Sequence, residues 1–372
     1  DLDKSMPLIN SGGVRQTPWS EGQNVRHLEP MGFIKYDLLG LATLKMMEGC
    51  IEHILKRHKG IEEPTFGDIK EFYDKNLHPD IIDLKDAKVY KNVFHNGNWS
   101  GTFQFTEDGA QKFCVRVKPD SIIDVAAITS TYRPGPLAAG VHEDYVDAKA
   151  SPHRIEYLNN DHREITEETF GFLIFQEQIA LLAHKLGGLT LDEGNLLRKI
   201  LTKKGTGKDD KRSRLRAKFV SGCVKNKISE SKAIALWNKF VYFSGYGFNK
   251  SHAVAYSMIS YQCAWLWTYY TAEWMAAFLD KEPEKRKEKT INIAKSYGFD
   301  IAQVNINTSG RVWEISDDGK TLIQPLSAIK GVGAAAIEQI IEHRPFTNAT
   351  ELLFTKEVSY GKLNKKALDA LC

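Results

Sequence analysis

Helix-type spacing of hydrophobic and polar positions runs through most of this 372-residue chain, and β-type patterns are confined to short stretches. Residues 1–31, with Gly12-Gly13, three prolines and scattered charges, read as loop with at most short strands. Residues 32–37 (Gly-Phe-Ile-Lys-Tyr-Asp) read as a short strand, and a helix follows from about Leu39 to His58, stopped at Gly60. Thr65 to Asp86 suggests short helices, and Gly101-Thr102-Phe103-Gln104-Phe105 is strand-like. A helical segment from Ile122 leads to Tyr132-Arg133-Pro134-Gly135-Pro136, where two prolines force an extended turn. Residues 140–168 read as loop-rich. Helices are predicted at 175–186, 191–201, 212–225, 230–243 and 252–279. The charged stretch 281–289, with Pro283 inside it, reads as a domain boundary. Beyond it, 301–323 alternates as strands do, with a turn at Asp317-Asp318-Gly319, and helices resume at 334–343 and 364–372.

The expected fold is therefore mostly α with small β elements, in two or three structural units. With 42% hydrophobic and 26% charged residues the chain can bury a sizeable core and falls outside the disordered class. A net charge of +3 means that any nucleic-acid footprint must come from local clustering. The five cysteines lack C-x-x-C spacing, which favours a reduced, cytosolic setting with thiols used as small core residues. Ala253 to Leu279 is long enough to span a bilayer but carries Ser257, Ser260, Gln262, Thr268, Thr271 and Glu273, so it reads as a protein-buried helix and no membrane partner is expected. The chain begins with Asp and ends inside a predicted helix, so both ends are read as cuts in something larger.

The richest local chemistry lies in Gly245-Tyr246-Gly247-Phe248-Asn249-Lys250-Ser251-His252. Two glycines allow a sharp turn, Asn249 or Ser251 can cap the following helix, and Lys250 and His252 sit at its positive end. These eight residues alone leave two readings open: a phosphate site, or a capped helix with no ligand. Arg198 to Lys218 holds ten cations against two anions, including Lys203, Lys204 and Lys208 around a Gly-Thr-Gly loop that is not a Walker A loop. A solvated face and a DNA-backbone contact are both compatible with that run. Ile329-Lys330-Gly331-Val332-Gly333 ahead of a helix has the form of a helix-hairpin-helix turn, whose glycines let backbone amides approach a DNA phosphate. Asp37, ending its predicted strand, is locally either a helix cap or a metal ligand. Asp1-Leu2-Asp3 has the shape of a carboxylate pair but no strand around it, and reads as loop. The aromatic series from Tyr256 to Phe278 is spaced for core packing.

Taken in order, these motifs resemble the C-family replicative DNA polymerases of bacteria and phages, the group of the DNA polymerase III alpha subunit. The matching segments are 32–41, 101–105, 132–136, Gln176-Glu177-Gln178, Leu196-Leu197-Arg198-Lys199, 245–253, 329–333 and 362–365. The resemblance implies template-directed addition of dNTPs to a primer 3′ end with Mg²⁺. Residues 1–45 would be the C-terminal part of a palm sheet, 46–282 a large helical fingers domain, and 283–372 a β-containing segment with a helix-hairpin-helix unit. It casts Asp37 as a catalytic metal ligand. Lys35, Arg133, Arg198, Lys250 and His252 are its nucleotide contacts, and Lys203, Lys204, Lys208, Lys330, Gly331 and Gly333 its DNA contacts.

The expected partners are primer–template DNA, dNTPs and the rest of the polymerase, from the same parent chain or a separate subunit. A sliding clamp and other replisome proteins would be reached through parts outside this chain, in the bacterial cytoplasm. The family's D-x-D pair has no counterpart ahead of Asp37, so the chain alone is expected to be inactive. The competing reading is a non-catalytic DNA-binding protein derived from such a polymerase.

Overall fold

The computed structural model describes residues 2–20, 27–36, 38, 40–133, 136–137, 140–202, 209–243, 247–354 and 357–371. It divides into two compact units, Asp1–Ala42 and Thr43–Cys372.

In the first unit Ile9–Ser11 pairs antiparallel with Val14–Gln16, Ser11 facing Val14 across Gly12 and Gly13. Both glycines have positive φ (59° and 81°), which a tight two-residue hairpin turn requires. The strand expected over 32–37 does not form: residues 33–36 and 38 carry no regular secondary structure. Ile34, Tyr36 and Leu38 are 75%, 80% and 96% exposed. A strand needs a second strand to pair with, and among the described residues of this unit Ile9–Ser11 and Val14–Gln16 pair only with each other, while the Phe33 amide donates to the Leu28 carbonyl at 3.0 Å.

The second unit is built on helices around three hydrophobic cores. Helix Ala42–Lys59 buries Met46, Met47, Cys50, Ile51, Ile54 and Leu55 on one stripe, and its last-turn cations Lys56, Arg57 and Lys59 suit the negative end of the dipole. Arg57 pairs with the buried carboxylate of Glu273, which also lies 2.9 Å from His58 Nε2. The largest core gathers Tyr90, Phe94, Tyr261, Trp267 and Trp274, so the aromatic series serves mainly as packing. A second core holds Leu186, Phe219, Trp237 and Phe240. The third, with Leu326, Ile337, Ile340 and Leu363, lies under the helix-hairpin-helix turn. Cys50, Cys114, Cys223 and Cys263 are free and buried. Among the described residues no helix is long and apolar enough to cross a membrane.

Several predicted elements differ. Residues 101–105 form turns rather than a strand, with Gln104 at φ 66°. The stretch 140–168 contains helices Val141–Ala150 and Asn160–Thr166, the second capped by Asn159. Helix Asp108–Val117 forms where the sequence pattern predicts no element. The helix expected at 252–279 is two, Lys250–Tyr269 and Thr271–Lys281, broken where Tyr270 adopts φ −140° and ψ 57°. The charged break shrinks to Glu282 and Pro283, because Pro283 stands at the N-cap of helix Glu284–Ser296, where its missing N–H removes no helical bond.

The β-containing segment is one small sheet. Thr321–Ile323 lies centrally, parallel to Asp300–Ala302 and antiparallel to Glu314–Ile315. Its predicted turn is present: Gly319 has φ 72°, and the Asp318 carboxylate accepts from the Lys320 amide at 2.9 Å. Trp313 and Leu322 from this segment are buried in the largest core.

Candidate nucleotide and nucleic-acid interface

The chain entering helix Lys250–Tyr269 is held like a single rung of sheet. The Phe248 amide donates to the Ile174 carbonyl (3.1 Å), and the Gln176 amide donates to the Phe248 carbonyl (2.8 Å). Gln176 then works from its side chain. Its Nε2 donates to the Gly247 carbonyl at 2.8 Å, and its Oε1 accepts from Arg198 Nη1 at 2.9 Å. Gly247 is needed here because a Cβ would come within 2.6 Å of the Phe243 ring. Asn249 is the N-cap, its Oδ1 accepting from the His252 amide at 2.8 Å.

Three of the residues singled out in the sequence, Arg133, Arg198 and His252, contact this rung, and Lys250 follows directly after it. The Arg133 guanidinium lies over the Phe248 ring at 4.4 Å, and its Nε donates to the Ser130 carbonyl at 2.8 Å. Burial pulls Arg133 below the usual guanidinium range. The His252 ring is 5.4 Å from Phe248, edge to face, and 4.0 Å from Tyr256. Arg198 reaches the rung through Gln176, and Lys250 opens the helix. Exposed cations continue along helix Asp209–Lys225 at Lys211, Arg214 and Arg216.

The start of helix Lys250–Tyr269 is not the open amide cluster that the sequence suggests. The Lys250 amide donates to Glu177 Oε2 at 2.9 Å, the Asn249 side-chain amide donates to Glu177 Oε1 at 2.7 Å, and Asn249 holds the His252 amide. The Lys250 ammonium donates to Glu168 Oε1 at 2.5 Å. Sequence reasoning singles out neither Glu168 nor Glu177. Glu177 stands within a matched motif, whereas Glu168 lies in a stretch that reads as loop.

The other residues fall elsewhere. Lys35 is exposed in the first unit. Asp37, Lys203, Lys204 and Lys208 lie outside the described residues, as do Gly245 and Tyr246. Among the described residues no three His, Cys, Asp or Glu side chains are grouped to hold a metal.

At the other end of the chain, the turn at 329–333 closes with the Val332 amide on the Ile329 carbonyl (3.1 Å). Gly331 adopts φ 110°, and Gly333 is the N-cap of helix Ala334–His343. A Cβ on Gly331 would lie 3.4 Å from the Ala370 side chain, so helix Lys365–Leu371 backs the turn. Lys330 is exposed at its tip.

The family model for the bacterial DNA polymerase III alpha subunit finger domain matches residues 49–227, and a helix-hairpin-helix model matches 298–372. The chain is 34% identical over 350 residues to the DNA polymerase III subunit alpha of Campylobacter jejuni, covering 93% of this chain and 28% of that protein. Similar matches are the subunits of Helicobacter pylori (33% over 362 residues, 94% and 28%) and Aquifex aeolicus (34% over 349 residues, 92% and 28%). The chain thus spans under a third of the length of these curated relatives.

Proposed function

Because the chain belongs to the DNA polymerase III alpha subunit family, we propose that it supplies the fingers and helix-hairpin-helix surfaces for template-directed addition of dNTPs to a primer 3′ end in bacterial DNA replication. What supports this reading is that Arg133 and His252 both meet the Phe248 ring and Arg198 meets Gln176, which is bonded to the Phe248 backbone, with Lys250 opening the helix two residues on. Triphosphate charge develops during phosphoryl transfer, and fixed cations at the reacting group are what such chemistry requires.

In this reading Arg133, held over Phe248, and Arg198, held by Gln176, present guanidinium groups that need little reorganisation. Lys250 supplies a movable ammonium, and His252 closes the aromatic side. Lys35 adds a contact to phosphate from the segment that carries Asp37. Lys203, Lys204, Lys208, Lys330 and the Gly331–Gly333 amides hold the DNA backbone without reading bases.

Mg²⁺ fits the donor assigned to it. Asp37 offers hard carboxylate oxygens, and this ion is commonly bound by one or two carboxylates, substrate phosphates and water. Bound there, it would activate the primer hydroxyl and neutralise the triphosphate. The remaining carboxylates would come from the rest of the polymerase, the assembly in which dNTPs, primer–template DNA and other replisome proteins meet in the cytoplasm.

Primer extension tests the reading. The chain alone is expected to bind primer–template in a salt-dependent way without extending it. Joined to the parts bearing the other carboxylates it should extend, and Asp37→Ala should abolish extension with DNA binding intact. Robust extension by the chain alone, or unchanged extension by Asp37→Ala, would overturn the assignment.

A further inference from the structure

Two carboxylates stand where a triphosphate would be expected to bind. Glu168 accepts from the Lys250 ammonium, and Glu177 accepts from the Lys250 amide and the Asn249 side chain. Their settings differ. Glu177 lies in the first turn of helix Gln176–Lys185 and makes two bonds to the cap, so it holds the helix start in place. Glu168 makes one bond, to the site's most flexible cation, and both partners are about one-third exposed (31% and 33%).

The backbone beneath Glu168 is fixed. Its short helical turn ends where Phe170 adopts φ 52° and Gly171 φ 78°. Thr169, fully buried, donates its one hydroxyl proton to the Phe172 carbonyl at 2.7 Å, lies 3.1 Å from the Thr166 carbonyl, and accepts from the buried Gln178 side chain at 2.8 Å. Freeing Lys250 therefore requires only rotation of the Glu168 side chain, with no movement of the turn. Such an exchange is cheap because an ion pair that stays about one-third exposed to solvent is weak.

We propose that Glu168 is an internal counter-ion that parks Lys250 until a polyphosphate displaces it. This rests on the reading of Arg133, Arg198, Lys250 and His252 as a triphosphate cradle. A bound polyphosphate must take Lys250 from Glu168 and then sit beside a carboxylate of like charge. Glu168 thereby lowers affinity for every anion at the site, and most for those too weakly charged to win the exchange. It acts through Lys250 and sharpens discrimination in favour of the triphosphate.

Calorimetric titration of the chain with inorganic tripolyphosphate and with dATP, each with Mg²⁺, tests this. Glu168→Gln and Glu168→Ala should each tighten both ligands by about fivefold, the upper range for an exposed charge pair. In a Lys250→Ala background the same changes should have a clearly smaller effect, since the exchange then has no cation to release and only the like-charge repulsion remains; an undiminished effect would overturn the parking of Lys250. Thermal melting run alongside distinguishes a structural role, which would weaken binding and lower the melting temperature together. Unchanged or weaker binding by both Glu168 variants, while Lys250→Ala binds poorly, would sink the counter-ion and leave the cradle standing. Parental affinity in Lys250→Ala would overturn both.

Discussion

The Arg133 guanidinium carbon lies 4.4 Å from the centroid of the Phe248 ring, and the His252 ring meets that same ring at 5.4 Å. Phe248 thus contacts both the Arg133 and the His252 side chains of the proposed cradle while its own backbone is locked to Ile174 and Gln176. A cation held over an aromatic face contributes about 0.5–1 kcal/mol at a partly exposed site. Phe248→Leu should therefore weaken dNTP binding by about twofold to fivefold, while Phe248→Tyr should keep it. Binding titrations check this, with melting curves to verify that both variants fold.

What the sequence makes legible is local. The Asn249 cap, the Gly319 turn and the Gly331 turn are each readable because the residues that form them are neighbours in the chain. Motif order alone puts Arg133, Arg198, Lys250 and His252 on one list, since Phe248 and Gln176, which meet three of them, come from different segments. Non-local facts escape it. A strand at 32–37 depends on a sheet neighbour that pattern alone cannot supply. The break at Tyr270 carries no proline or glycine, and the Tyr270 ring lies against His58, Phe72 and Trp265, the first two from distant helices. Glu168 gives no periodic signal, and its importance follows only from the position of Lys250.

Asp280 should make stability fall as pH rises through the weakly acidic range. Its Oδ1 accepts from the Trp313 amide at 2.9 Å, but burial dominates and pushes its carboxyl up to about 6. Lys281 and Lys287 oppose that shift, and Glu52 adds to it. An unfolded aspartate titrates near 3.9, so the folded state binds the proton more tightly. Its contribution to stability is therefore greatest below about pH 4, is lost between about 4 and 6, and stays absent above, amounting to roughly 3 kcal/mol if the full shift is expressed. Asp280→Asn keeps an oxygen acceptor for Trp313 and does not titrate. Denaturant melts should show it stabilised at pH 7, with the gain vanishing near pH 4.

Gly222 separates helix propensity from packing. Alanine is the better helix former by about 1 kcal/mol, so substitution within helix Asp209–Lys225 would ordinarily stabilise. A Cβ there, however, would stand 1.8 Å from the Gly187 carbonyl oxygen and 2.4 Å from its carbon. Backbone cannot rotate out of the way as a side chain can. Gly222→Ala should destabilise by about 2 kcal/mol or more, as overpacking does. Gly67→Ala is the contrast: in helix Phe66–Asn76 its Cβ would meet Thr65 Oγ1 at 3.5 Å, an ordinary contact. That variant should gain up to about 1 kcal/mol in urea unfolding.

Lys330 and Gly331 should affect DNA binding differently, and the difference tests the helix-hairpin-helix turn. Lys330 is exposed at the tip, where it can neutralise one phosphate. Removing one such contact lowers the salt dependence of the binding constant by about one unit of log–log slope. Because no base is read, Lys330→Ala should weaken binding to unrelated duplexes equally. Gly331 acts through the backbone: its φ is 110°, and a Cβ there would stand 3.4 Å from that of Ala370, so any side chain forces the turn to rearrange. Gly331→Val should misplace the amides at the start of helix Ala334–His343 and cost more affinity than Lys330→Ala. Fluorescence anisotropy of labelled duplexes between about 50 and 200 mM salt measures both effects. An unchanged slope for Lys330→Ala would remove that residue from the interface, and equal binding by Gly331→Val would remove the turn.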